Sequence, residues 1–155
     1  MTVKFYKLVD RQPVECKSVE ELKAWLNDPA NDESRIVGRT EFEGMVISTV
    51  FGYTCNVERN LNSLGELCHF ETLVFFGDLY EFDHQHPVNF PVGNGQHMQR
   101  LISPTWAYAE QIHKSVVDQL KAQWEKARDK ADGEWFGVVA SVLGINEDPA
   151  PDAPQ

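Results

Sequence analysis

The sequence predicts an α+β fold. An antiparallel sheet of roughly four to six strands, in the order β-α-β-β-β-(β)-α-α, carries helices packed on one face. Three observations lead there. Two runs, Met45-Val-Ile-Ser-Thr-Val-Phe51 and Phe70-Glu-Thr-Leu-Val-Phe-Phe76, have strand length and are rich in β-branched and aromatic residues. Glu43-Gly44 is a two-residue connection of the kind that joins antiparallel strands. Strong helical periodicity is concentrated after residue 103, so the strands come first and the long helices last.

Each element has a local reason. Val3–Val9 roughly alternates apolar and basic side chains, as a half-buried strand does. A helix follows, with Ser18 as N-cap, Glu21 completing a capping box, and Val19, Leu22, Trp25 and Leu26 as its apolar stripe. Pro29 ends it, because the residue before a proline is pushed out of helical geometry. Residues 35–42 read as a strand that Glu43-Gly44 folds back onto Met45–Phe51. The polar connection 52–69 holds Asn56, Asn60, Asn62, Ser63 and Gly65, and reads as a long loop. Strand 70–76 returns, and Gly77-Asp78 turns the chain into an apolar run at Leu79–Phe82.

Pro87, Pro91, Gly93 and Gly95 make 83–98 a second irregular loop, after which Gln99–Ile102 closes the sheet as a short strand. Ser103 as N-cap and Pro104 at the first helical position open the longest helix. Its face is Trp106, Ala109, His113, Val116, Val117, Leu120 and Trp124, and it runs to about Lys130. Asp132-Gly133 breaks it, and an apolar helix spans 135–143, either packed within the chain or serving as a homodimer surface. Residues 1–144 read as one domain and 145–155, acidic and proline-rich, as a flexible tail.

The totals narrow the function. A net charge of -10 with no run of Lys or Arg argues against binding a phosphate backbone directly. Solubility by self-repulsion accounts for the acidity, as does an acidic face that docks on a basic host protein. Cys16, Cys55 and Cys68 are odd in number and widely spaced, which points to a reducing compartment rather than a disulfide scaffold. No apolar run approaches the ~18 residues of a membrane span, and the N-terminus lacks a signal-peptide pattern, so a cytoplasmic location in the host cell is expected.

A set of ordered blocks is more specific. Tyr6-Lys7-Leu8, Pro13-Val14, Trp25, Arg35–Thr40, Val46-Ile-Ser-Thr-Val-Phe51, Phe70-Glu-Thr-Leu-Val-Phe75, and Thr105-Trp106 with Ala109-Glu110 and His113 follow one another at plausible spacing. This pattern resembles a family of small uncharacterised phage and prophage proteins, with blocks of the type VSTVFLGLDHNF, PPLLFETMVFGG and RYSTWEEAEAGH. The resemblance spans about residues 5–120. It implies a viral or prophage accessory gene and brings no chemistry with it. Where the family pattern has Asp-His after the first strand, this chain has Thr54-Cys55, and its connection 52–69 is longer.

Candidate chemistry falls on Cys55, Cys68-His69, Glu71, His84, His86, His97 and His113. His84 and His86 have the spacing that lets two imidazoles on one strand face reach one metal, and Cys68-His69 would complete a tetrahedral set. The paired short spacings of a zinc finger are missing, so ordinary loop histidines explain the same residues and no cofactor is expected. Cys55 with a nearby histidine would make a nucleophile and base; as a small buried hydrophobe it needs no such role. Glu71 shares a strand face with Leu73 and Phe75, which leaves two readings: a solvated edge carboxylate, or one paired by Ser48, Thr49 or Arg39 in a pocket wall. His113 on the apolar stripe reads as a satisfied core-edge histidine.

The leading expectation is a non-enzymatic phage or prophage accessory protein that binds a host or phage protein, an anti-defence role included. The alternatives are a nucleotide-type small-ligand binder, a metal- or Cys-dependent hydrolase, and a virion or assembly component. For the binder, Cys55, Glu71, His84 and His86 would line a pocket between the sheet and loops 52–69 and 83–98.

Overall fold

The computed structural model describes residues 2–76, 87–130 and 134–144. The run Leu79–Phe82, His84, His86, the break at Asp132-Gly133 and the tail 145–155 lie outside the described residues.

The strands are β1 (Val3–Val9), β2 (Gln12–Glu15), β3 (Ile36–Phe42), β4 (Met45–Phe51), β5 (Thr54–Asn56), β6 (Phe70–Phe76), β7 (Phe90–Gly93), β8 (Gln96–Met98) and β9 (Leu101–Ser103). The helices are α1 (Val19–Leu26), α2 (Ala30–Ser34), α3 (Trp106–Lys130) and α4 (Trp135–Leu143), with a 3-10 turn at Val57–Arg59. The α+β class therefore holds, with every strand pair antiparallel.

The main sheet has the order β3-β4-β6-β9. Glu43 and Gly44 both take positive φ (50° and 82°), the backbone that matches strand twist in a two-residue hairpin, and Phe42 faces Met45 across it. β4 and β6 are paired along their whole length, from Met45↔Phe76 to Phe51↔Phe70. Strict alternation then sorts the two faces. Met45, Ile47, Thr49, Phe51, Phe70, Thr72, Val74 and Phe76 are buried, while Val46, Ser48, Val50, Glu71, Leu73 and Phe75 are half-buried on the opposite face.

Helix α3 lies across β3, β4, β6 and β9 on the buried face. Val116, Val117, Leu120, Trp124 and Ala127 join Met45, Ile47, Val74, Phe76 and Phe90 in one core, completed by Val138, Val139, Val142 and Leu143 of α4. The segment 135–143 is thus spent on the intramolecular core at these four residues. The helix starts later than its sequence signals suggest. Ser103 ends β9 opposite Phe70 and gives its carbonyl to His69 N, so it is held in the sheet. Thr105 caps instead, its Oγ1 accepting from Tyr108 N at 3.1 Å.

Strand β1 does not join the main sheet. It sits between β2 and β5 in a sheet of its own, over a second core of Tyr6, Phe51, Cys55, Phe70 and Ala109. The β1–β2 turn is made by Asp10 and Arg11, both in the left-handed region (φ 52° and 65°) without being glycine. Asp tolerates this geometry, whereas for Arg11 it costs roughly 1–2 kcal/mol. The Arg11 guanidinium offsets part of it by stacking 4.6 Å from the Trp106 ring centroid.

Two stretches read as loops are structured. The connection 52–69 contains β5, the 3-10 turn and a bridge between Leu61 and Leu67. Within 83–98, Asn94 and Gly95 at positive φ (53° and 74°) turn β7 into β8. Pro29 ends α1 and also starts α2, as a proline tolerates the first helical positions. Ser18 caps as predicted, its side chain accepting from Glu21 N at 3.1 Å, but the return half of the box is shifted by one residue, Glu21 accepting from Lys17 N rather than from Ser18 N. Among the described residues no helix is long and apolar enough to cross a membrane.

Candidate functional site

The half-buried end of β6 opens onto a cleft of about 690 Å³. Three separate stretches build it. β5 and the turn after it bring Thr54, Cys55, Asn56, Arg59 and Asn60; the return strand brings Cys68, His69, Phe70 and Glu71; Arg100 arrives just before β9. The pairing of β5 with β1, which sets Val3 opposite Asn56, fixes the first stretch. The second is fixed by Cys68 N donating to Asn60 O at 2.7 Å and His69 N donating to Ser103 O at 3.1 Å.

Glu71 is paired, but by Arg100 rather than by Ser48, Thr49 or Arg39. The Arg100 guanidinium donates to the Glu71 carboxylate, to Asn60 Oδ1 and, at 3.5 Å, to the Arg59 carbonyl. Thr49 faces the other side of the sheet, and Arg39 is exposed on β3. Arg59 lines the same cleft, and its side chain has no hydrogen bond or ion pair among the described residues. Two guanidinium groups thus face one carboxylate in a chain of net charge -10.

Of the residues singled out from sequence, Cys55, Cys68, His69 and Glu71 meet in this cleft. Burial pushes the Cys55 and Cys68 thiols up, and the opposing pull of the Arg100 charge does not reverse it. Neither is a ready thiolate at neutral pH. Cys68 Sγ donates to the Glu66 carbonyl at 3.6 Å, and among the described residues no histidine is hydrogen-bonded to Cys55. The His69 ring rests 4.3 Å from the Tyr6 ring, and burial pushes its pKa down, so it is neutral at pH 7. Two polar atoms in the cleft wall, Asn56 Oδ1 and His69 Nδ1, are closed off from solvent and have no hydrogen-bond partner. Such orphans are uncommon and mark a place where the chain's own groups do not finish the network.

Of the metal candidates Cys68, His69, His84 and His86, the last two lie outside the described residues, and among the described residues no group of three or more His, Cys, Asp and Glu is close enough to hold an ion. His97 ties β8 to the end of α4, Nε2 lying 3.1 Å from the Val142 carbonyl. His113 sits on the far side of the main sheet. Its Nε2 is 2.8 Å from Thr40 Oγ1, its Nδ1 is 2.8 Å from Thr49 Oγ1, and Thr49 continues to Thr72 at 2.7 Å. It is a satisfied core-edge histidine, as its place on the stripe predicts.

Arg59, Arg100, Asn56 and Asn60 are the cleft residues that sequence reasoning passes over. The usable signal was Glu71 itself: a carboxylate on a half-buried strand face needs a cation, and Arg100 lies just ahead of the neighbouring strand. No protein-family model, no curated protein and no solved structure matches this chain.

Proposed function

We propose that this chain is a small-ligand binding protein whose ligand occupies the cleft between β5, the 3-10 turn and the start of β6. The observation that carries the reading is convergence. Three separate stretches, the last roughly 30 residues beyond the other two, deliver two arginines, two asparagines, a histidine and a glutamate to one cavity of about 690 Å³, a size that suits a small organic molecule. The raised thiols, and the lack of a histidine hydrogen-bonded to Cys55 among the described residues, favour binding over Cys-dependent hydrolysis.

A thermal-shift screen with nucleotides, organic acids and amines tests this. A ligand at 100 times its Kd adds about 2.7 kcal/mol, which for a chain of this size raises Tm by roughly 5–10 °C. The control is Gly52→Phe. Gly52 lines the cleft, and a Cβ built there meets nothing nearer than 3.8 Å, so a side chain can start there without a clash at Cβ, and a thermal melt of the variant checks that the fold is intact. Hits that survive in G52F would place binding elsewhere and refute the reading.

A second reading has its own observation. Leu64 is 81 % exposed at the tip of a loop held rigid by Asn62, whose Oδ1 accepts from Leu64 N and Glu66 N. A preorganised apolar tip on an acidic chain suits the phage or prophage accessory role, in which the partner is a host protein. Co-purification of a host protein that Leu64→Asp abolishes would favour it.

A further inference from the structure

We infer that the cleft selects an oxyanion, a phosphate or carboxylate borne on a small organic molecule, and that Glu71 is the internal stand-in for that group. This rests on the ligand-binding reading above and names the ligand class.

Arg100 is held in a fixed orientation by one acceptor on each nitrogen: Nη2 donates to Asn60 Oδ1, Nη1 to the Arg59 carbonyl and Nε to Glu71. Neither partner of that ion pair is sealed in: the side chains of Arg100 and Glu71 keep 37 % and 34 % of their exposure. A planar guanidinium fork binds carboxylate and phosphate oxygens by two parallel hydrogen bonds, so a ligand oxyanion competes for the same donors as Glu71. Arg59 stands beside it, exposed and without a partner of its own among the described residues. An incoming oxyanion therefore gains one unpaired cation and a share of a second. Among the described residues the only carboxylate in the lining is Glu71. Neutral or cationic ligands gain neither contact.

The cavity is far larger than a bare phosphate, which leaves room for an organic body against Val3 and Thr54. The asparagines shape the wall beside the arginines. Asn60 Nδ2 is already spent on the Asn56 carbonyl at 2.7 Å, which locks the wall beside Arg100. The unpartnered Asn56 Oδ1 calls for a hydrogen-bond donor, which a hydroxyl or amine on the organic body would supply once the wall adjusts.

Isothermal titration of the full chain tests the inference with four probes: inorganic phosphate, acetate, a nucleoside monophosphate and the matching neutral nucleoside. The two small anions separate phosphate from carboxylate selectivity, and the nucleoside pair separates the oxyanion from its organic body. At least one oxyanion probe should bind one-to-one below millimolar Kd and weaken as salt rises. Arg59→Ala should cost tenfold or more. It removes an exposed side chain with no hydrogen bond or ion pair among the described residues, and a thermal melt of the variant checks that the fold is intact. Glu71→Gln should tighten binding several-fold by removing the competing charge. Oxyanion binding unchanged in both variants overturns the inference. So does equal affinity for the nucleoside and its monophosphate. If cationic or neutral compounds from the thermal-shift panel bind and G52F blocks them while all three oxyanions fail, the oxyanion class falls and the ligand-binding reading stands.

Discussion

Gly38→Ala is a one-methyl change with a calculable outcome. A Cβ built at Gly38 would lie 2.8–2.9 Å from three ring atoms of His113, closer than real Cβ contacts come. The ring is not free to swing aside, because both of its nitrogens are hydrogen-bonded, at 2.8 Å each, to Thr40 and Thr49. The structure must either overpack, at about 1–3 kcal/mol, or give up hydrogen bonds worth about 1 kcal/mol each. Elsewhere in a strand the same substitution would gain about 0.4–1 kcal/mol by restricting the unfolded chain. We therefore expect a net loss of about 1–2 kcal/mol in urea unfolding at pH 8. A double-mutant cycle with His113→Ala isolates the cause. In the H113A background, G38A should become neutral or stabilising, giving a coupling of about 1 kcal/mol or more. Additive costs in the cycle would refute the claim that the ring is what excludes a side chain at position 38.

Two further outcomes follow from the fold. Burial pushes the pKa of both His113 and His69 below the ordinary 6.5, so the unfolded chain binds more protons than the folded one just below that pH. The stability these groups contribute is present above about pH 6.5 and is lost as pH falls toward their folded pKa values; H113A should flatten that part of a stability–pH curve. Thr105→Ala should cost about 1 kcal/mol as the true N-cap of α3, whereas Ser103→Ala should be neutral or stabilising, because the Ser103 hydroxyl is buried without a partner. Equal costs for the two would return the cap to Ser103.

What was legible in the sequence follows period and turn chemistry. The β3–β4 hairpin, the β4–β6 faces and the Ser18 cap were readable because their signals are local. The β7–β8 hairpin was equally readable from Asn94-Gly95, but the nearby prolines obscured it; Pro91 is paired opposite His97 all the same. The β1–β2 turn was not readable, since Arg11 adopts left-handed geometry against its preference, and what compensates, Trp106, lies far along the chain. Nor was the separation of β1 from the main sheet: β5 is only three residues, and nothing local says that it pairs with Val3–Phe5. The cleft was half legible. Cys55, Cys68, His69 and Glu71 stood out as chemistry-bearing types, while Arg59 and Arg100 matter only because the fold sets them beside Glu71. For His84 and His86, which lie outside the described residues, the pocket role stays an expectation from sequence.

The central claim is that the cleft at the start of β6 binds a small ligand. The most direct test is an amide NMR titration of the labelled full chain with the best-binding compound from the panel. The account predicts perturbations concentrated at Gly52, Cys55, Arg59, His69, Glu71 and Arg100, all of which line the cleft. Perturbations centred instead on the groove between Arg11, Glu33 and Trp106, or spread without a centre, would contradict it.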